Sequence, residues 1–351
     1  MDNREKIKAV AMLSGGLDSS LAVKIVADQG IEIIGVNYNT GFCLSDHRRK
    51  MAGLGADISP QAIQNQALQT GARWRIPVEL IDISEEYMEI LKRPKYGYGS
   101  AVNPCIDCRI MMLKKTKEFM EKIGAQFIIT GEVVGQRPMS QMRNTLRLIE
   151  KQSGCQGLIL RPLSAKLLEP TKPEIMGWVN REKLYDFRGR GRKPQIALAA
   201  ELGLENYPQP AGGCCFLTDR NYARRLNDLF LYDPEKTLST RQVLLLKVGR
   251  HFRINERVKL VVGRNEGENI FLAEQGKELI MLDCENIQGP TALIEGTPKD
   301  EDIELAAGIT ARYSDGKELE LVAVSVRYPE QEKKIKIVKP MDITTCDKLR
   351  I

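Results

Sequence analysis

The chain has 351 residues, 42% of them hydrophobic and 28% charged, and a formal net charge of +6. This composition excludes collagen-like and disordered classes, no apolar run reaches bilayer length, and the opening Met-Asp-Asn-Arg-Glu-Lys lacks a signal-peptide core. A cytoplasmic, non-membrane protein of two or three domains is expected, basic enough to permit a polyanionic partner without requiring one.

The first half alternates strands and helices. Lys6 to Leu13 predicts an apolar strand, Leu17 to Gln29 a helix ended by Gly30, and Ile31 to Tyr38 a second strand. Ser59 to Trp74 predicts a helix with Pro60 in its first turn, followed by the strand Pro77 to Ile83. Ile110 to Ile123 predicts a helix, and Ala125 to Thr130 a buried strand ending at Gly131. That order indicates an α/β fold, a parallel sheet with helices on both faces, whose ligands sit beyond the carboxyl ends of the strands. From about Arg220 the texture changes to short β-rich runs: Arg257 to Val262, Ile270 to Ala273, Leu279 to Leu282, Leu319 to Val326 and Lys334 to Val338. A boundary near Asp219 is expected, with one domain over 1–219 and a smaller β-rich or α+β domain over 220–351.

Ser14-Gly15-Gly16-Leu17-Asp18-Ser19-Ser20 follows the first strand and opens a helix. Glycines let the backbone approach an anion, and exposed N–H groups at a helix start bind oxyanions. Ser14 and Ser19 add hydroxyl donors, whereas Asp18 would repel phosphate and so suits a magnesium contact or a holder of the loop. A plain Gly-rich turn with Asp18 as an N-terminal helix charge is the alternative.

Of eight cysteines, Cys43, Cys155, Cys284 and Cys346 stand alone and read as small buried hydrophobes. Cys105 and Cys108, in Asn103-Pro104-Cys105-Ile106-Asp107-Cys108, precede the expected helix, and Cys214 and Cys215 follow Ala211-Gly212-Gly213. Thiolates at this spacing can grip one centre across a tight turn, and a helix N-terminus with Arg109 nearby favours the thiolate. Adding Cys215 gives three ligands, which would leave one iron of a [4Fe-4S] cluster open. A persulfide and disulfide cycle between Cys108 and Cys215 is the rival, and a zinc knot or buried thiols the third reading. His47 and His251 lack the spacing for a metal site or a nucleophilic triad.

Ser-Gly-Gly-Leu-Asp-Ser resembles the signature of the PP-loop ATP pyrophosphatases (adenine nucleotide α-hydrolase-like fold), without the Gly-Lys-Ser/Thr ending of kinase loops. The resemblance implies adenylation of an oxygen with loss of pyrophosphate. It implies nucleotide contacts at Met12, Ser14, Gly15, Gly16, Asp18, Ser19, Asn37 and Tyr38, with Asp18 catalytic. Asn-Pro-Cys-x-x-Cys and Cys-Phe resemble segments of the tRNA 2-thiouridylases, implying a catalytic Cys108 and a sulfur-accepting Cys215. Cys105, and the run Cys215-Phe216-Leu217-Thr218-Asp219, resemble the cluster-dependent relatives, implying Cys105, Cys108 and Cys215 as ligands, with Cys214 the alternative to Cys215. Thr130-Gly131-Glu132-Val133-Val134-Gly135-Gln136-Arg137-Pro138-Met139-Ser140-Gln141, with Asn144 and Leu158 to Leu163, resembles the catalytic domain of the tRNA 4-thiouridine synthetases. There Gly131 and Gln136 border the nucleotide. The match runs over roughly Lys8 to Asp219.

Little sequence precedes the phosphate loop, so the amino-terminal RNA-binding extension of those synthetases is expected to be missing, and no rhodanese-like carboxyl-terminal domain is apparent. Two regions could hold RNA instead. Arg188, Arg190, Arg192 and Lys193 concentrate cations on an expected flexible segment, suited to phosphate contacts or simply to solvent. Val248-Gly249-Arg250-His251-Phe252-Arg253 and Val262-Gly263-Arg264-Asn265-Glu266 resemble the NFACT-R type of RNA-associated domain. The expectation is ATP- and Mg2+-dependent tRNA thiolation giving 4-thiouridine, with inorganic sulfide or a cysteine desulfurase persulfide as donor and a homodimer left open. The alternatives are 2-thiouridine synthesis and a PP-loop ligase or amidotransferase acting on a small carboxylate.

Overall fold

The computed structural model describes residues 6–43, 65–204, 207, 215–233 and 235–351. The described residues fall into two compact units, the second beginning at Cys215. No helix among them is long and apolar enough to cross a membrane.

The first unit holds strands β1 (Lys8–Met12), β2 (Glu32–Asn39), β3 (Val78–Asp82), β4 (Phe127–Thr130) and β5 (Ile159–Leu160), and helices α1 (Leu17–Ala27), α2 (Gln66–Trp74), α3 (Ser84–Lys92), α4 (Cys105–Lys122), α5 (Arg143–Ser153), α6 (Lys172–Ile175) and α7 (Lys193–Glu201). The strands order as β3-β2-β1-β4-β5, every neighbouring pair parallel. Side chains alternate across β1: Ala9 and Ala11 enter one core with Leu21 of α1 and Leu198 of α7. Val10 and Met12 enter the other with Leu113 of α4 and Ile149 of α5. Covering both faces is what makes such a strand read as an unbroken apolar run.

In the second unit, α8 (Arg220–Tyr232) and α9 (Thr240–Leu245) lead into β6 (Arg250–Asn255), β7 (Val258–Val262), α10 (Glu266–Gln275), β8 (Ile280–Cys284) and β9 (Ala292–Gly296). The unit then continues through α11 (Asp300–Arg312), β10 (Val322–Arg327), β11 (Lys334–Val338) and α12 (Ile343–Leu349). The strands form one antiparallel sheet, ordered β11-β10-β8-β9-β7-β6. Ala306 and Ile309 of α11 pack with Leu260 on one face, and Phe271 of α10 packs with Val261 on the other.

Three local expectations change. Ile270 to Ala273 is not a strand but part of α10, because Asn265 caps the helix by accepting the Glu268 N–H at 3.0 Å. A short apolar run alone cannot distinguish the two states. The helix expected from Ile110 begins at Cys105, so both cysteines lie inside its first turn. The helix expected from Ser59 is described from Gln66, behind an Asn65 cap; its earlier residues, and Cys214, lie outside the described residues.

Candidate functional site

The phosphate loop leaves the carboxyl end of β1. Gly15 sits at φ +75°, and a Cβ there would stand 2.3 Å from Cβ of Gln66 and 2.7 Å from the Ala67 nitrogen, so glycine alone fits. Gly16 precedes α1 in extended conformation and supplies no side-chain cap, leaving the first-turn N–H groups to other acceptors. Ser14 Oγ accepts from the Gly16 N–H at 3.3 Å and lies 3.2 Å from Ser19 Oγ, which donates to the Gly16 carbonyl at 2.9 Å. The loop is therefore cross-tied through its own hydroxyls.

Asp18 is 13% exposed. Its Oδ2 accepts from Gln136 Nε2 at 3.1 Å and lies 3.3 Å from Arg192 Nη2, while the buried Oδ1 has no hydrogen-bond partner among the described residues. Burial raises its pKa, opposed by Arg192, the Gln136 bond and Arg137. Gly131 wedges β4 against this turn: a Cβ would come 2.5 Å from both the Asp18 carbonyl carbon and the Ser19 nitrogen.

Asn37 Nδ2 donates to the Leu13 carbonyl at 2.7 Å, fixing the exit of β1. The side chains of Tyr38 and Met12 are buried in the α4-side core, and the Tyr38 hydroxyl lies 2.9 Å from Thr116 Oγ1. Burial pushes the Tyr38 phenol up to about 12. Both side chains are therefore taken up by the core, and only the backbone of these two residues is left for a ligand.

Glu132, 1% exposed, is a site residue to which the sequence alone assigns no role. Its Oε2 accepts from Arg161 Nε at 3.0 Å and from Thr130 Oγ1 at 3.1 Å, and its Oε1 lies 3.1 Å from Arg109 Nε outside hydrogen-bond geometry. Burial disfavours the ionised carboxyl, but Arg109 and Arg161 more than offset it and hold its pKa below the ordinary value. Arg161 also pairs with Glu150.

Cys105 and Cys108 are half-buried on the first turn of α4. The buried Asn103 donates from Nδ2 to Cys105 Sγ at 3.0 Å, and Asp107 accepts the N–H groups of Lys95 and Tyr96 at 3.2 and 3.0 Å, shaping the loop in front. Arg109 follows Cys108 and reaches Glu132, Glu132 follows Gly131, and Gly131 touches Asp18. The paired thiols and the phosphate loop thus lie at one end of one sheet, where α4 starts back toward the next parallel strand. Cys215 is buried and belongs to the second unit. Among the described residues no group of three or more His, Cys, Asp or Glu side chains is placed to hold a metal ion.

The basic segment is stapled, not loose. Arg188 bridges Val134, the Gly189 N–H donates to the Val134 carbonyl at 2.8 Å, and Ser164 Oγ donates to the Phe187 carbonyl at 2.6 Å. Arg188, Arg190 and Lys193 are exposed, whereas Arg192 turns inward to Asp18.

The family model described as thiamine biosynthesis protein (ThiI) matches residues 5–188, and that of the NFACT protein RNA binding domain matches 249–349. A tRNA-specific 2-thiouridylase MnmA of Xanthobacter autotrophicus is 27% identical over 223 residues, 62% of this chain and 53% of that protein. One of Listeria monocytogenes serotype 4a is 23% identical over 335 residues, 90% and 84% of the respective chains. The match thus spans about half of the first relative and most of the second. Among solved structures, a 4-thiouridine synthetase–RNA complex with bound ATP aligns at TM-score 0.31 and 20% identity, covering 56% of this chain and 50% of that one.

Proposed function

The chain belongs to the ThiI family, and from that premise we propose that it is an ATP-dependent tRNA sulfurtransferase, adenylating a uridine carbonyl and replacing its oxygen with sulfur. The observation that carries this reading is the shared end of one sheet: a phosphate loop with an unpartnered carboxylate oxygen, and two thiols on a helix start, joined through Glu132.

ATP phosphates fit the donors of Ser14, Gly15, Gly16 and the first turn of α1, and Asp18 Oδ1 is left to hold Mg2+. Mg2+ held by Asp18 would supply charge neutralisation for the departing pyrophosphate. The uridine oxygen attacks the α-phosphorus and the bond to pyrophosphate breaks. Arg192 and Gln136 keep the Asp18 carboxylate oriented meanwhile. A sulfur nucleophile then attacks the activated carbon, the carbon–oxygen bond breaks and AMP leaves. Carried as the outer sulfur of a persulfide on Cys108, that sulfur is released when a second thiol, proposed as Cys215, attacks the Cys108 sulfur. The S–S bond to the base breaks, the thiolated base departs, and the disulfide left behind is reduced by an external thiol. The first unit supplies two thiolates of the expected three-cysteine set. Among the described residues no third side chain joins them to complete a ligand set for a [4Fe-4S] cluster. Iron and sulfide content after anaerobic purification decides between the cluster and a persulfide.

The proposed RNA contacts are the exposed Arg188, Arg190 and Lys193, together with the second unit, whose model match supports an RNA-binding role. The preferred product is 4-thiouridine. The second reading, 2-thiouridine, is favoured by the names of the curated relatives. Nucleoside analysis of tRNA from a deletion strain tests both: loss of 4-thiouridine supports the first and loss of 2-thiouridine the second. Unchanged levels of both defeat the tRNA reading. Pyrophosphate release that rises with a small carboxylate and ignores tRNA would instead favour the ligase alternative.

A further inference from the structure

The sequence contains Val-Gly-Arg twice, at Val248-Gly249-Arg250 and Val262-Gly263-Arg264, and the fold sets the two runs side by side. Arg250 opens β6 opposite Val262, the last residue of β7, and its Nη1 donates to the Gly263 carbonyl at 3.2 Å. Both glycines are needed for this approach. Gly249 is at φ +76° with an added Cβ 2.8 Å from the Val262 oxygen, and a Cβ on Gly263 would come 2.1 Å from Asn269 Oδ1. Two further arginines reach the same corner. Arg225 of α8 donates to the Leu246 and Gly249 carbonyls, both at 2.9 Å, and Arg350 bridges Phe252, two residues along β6 from Arg250 and so on the same face.

The corner is short of negative charge. Arg264 pairs with Glu268, whose carboxylate is also tied by the Gly249 and Arg264 N–H groups at 3.2 and 2.9 Å. Among the described residues, Arg225, Arg250 and Arg350 form no ion pair with a carboxylate. Arg250 lies instead over the Tyr313 ring, 4.6 Å from its centroid. Two buried polar atoms there lack hydrogen-bond partners among the described residues, Arg225 Nε and the Tyr313 hydroxyl. Burial pushes the Arg225 guanidinium down to about 10, helped by repulsion from Arg264 and Arg350 and opposed by Glu268 and Asp219. Four guanidinium groups gathered about a single paired carboxylate, Glu268, leave a surplus of positive charge that suits an anion brought from outside.

We propose that Arg225, Arg250, Arg264 and Arg350 form a phosphate-binding site in the second unit that grips the sugar–phosphate backbone of the RNA substrate. The inference rests on the RNA reading above and assigns it to residues. Guanidinium forks match phosphate oxygens two at a time, and such contacts give affinity that falls steeply with salt and is indifferent to base sequence.

The test is binding of an unmodified tRNA transcript to the full chain, by fluorescence anisotropy across a KCl series. The double variant Arg250→Gln/Arg350→Gln lowers the slope of log Kd against log[KCl] by about 2, about one for each lost phosphate contact. Arg250→Lys/Arg350→Lys keeps the slope. Should the double variant not fold, Arg350→Gln alone, at an exposed position, lowers the slope by about one. An unchanged slope in a folded variant, with wild-type binding intact, overturns this inference alone. Absence of tRNA binding by the wild-type chain overturns the RNA reading with it.

Discussion

In the first unit the charges flanking the phosphate loop are neutralised within the chain, Asp18 by Arg192, and Glu132 by Arg109 and Arg161. In the second unit Arg225, Arg250 and Arg350 gather at one corner with no carboxylate paired to them among the described residues. Internal pairing fixes geometry before any ligand arrives, which suits positioning for chemistry. Unpaired cations keep their field for a partner from outside, which suits capture. The contrast teaches that one chain can separate the two demands by where it places its carboxylates.

Four experiments sharpen or break that contrast. The largest effect is expected at Cys108→Ser, which abolishes thionucleoside formation while tRNA-dependent pyrophosphate release continues. Loss of both would make the α4 turn a structural part of the nucleotide site. Next, Glu132→Ala leaves Arg161 buried without one of its two carboxylates and costs about 3–5 kcal/mol. Denaturant titration should show this, while Arg350→Gln on the uncompensated corner stays within about 0.5 kcal/mol. Equal costs would mean the two regions do not differ in the way described.

Asp18→Asn is expected to slow pyrophosphate release by about 10²–10³-fold, roughly 3–4 kcal/mol at the transition state. Stability moves the other way. Because burial raises the Asp18 pKa, its contribution is fully present below the unfolded value and lost as pH rises through the folded one. The asparagine variant should therefore melt no lower than wild type at neutral pH. The smallest effect concerns His251, buried and held well below its ordinary 6.5 by burial, then by Lys259 and Arg225. A depressed pKa gives stability present above the unfolded value and lost as pH falls. Chemical denaturation should therefore lose about 1.4 kcal/mol per pH unit below 6.5 until His251 protonates in the folded state. A His251→Gln variant flattens that slope.

Much of the first unit was readable because both faces of its sheet are buried. Ala9 to Leu13 and Phe127 to Ile129 are apolar without interruption, and the glycines of the loop mark where chain direction changes. The Cys105 start of α4 was not readable, since Pro104 brings no side-chain cap to announce it. Nor was the partnership of Glu132 with Arg109 and Arg161, which joins residues far apart in sequence. The available signal was a charged residue at the end of an apolar strand, Arg161 directly after β5 and Glu132 separated from the end of β4 by Gly131 alone. The Arg192–Asp18 ion pair was not readable for a related reason. A cation in a Gly-Arg run reads as solvated, and only the staple of Arg188 to Val134 turns the segment back toward Asp18. In the second unit, Ile270 to Ala273 misled because Asn265 and Glu268, not the apolar run, set the helix.

Gly131 has a consequence for how this chain can drift. Its Cα lies against the backbone of Asp18 and Ser19, so the obstacle to any substitution is main chain, which no compensating side-chain change can shrink. A saturation library should therefore accept a single amino acid there, whereas the neighbouring core positions Ile129 and Val133 exchange among aliphatic residues at modest cost.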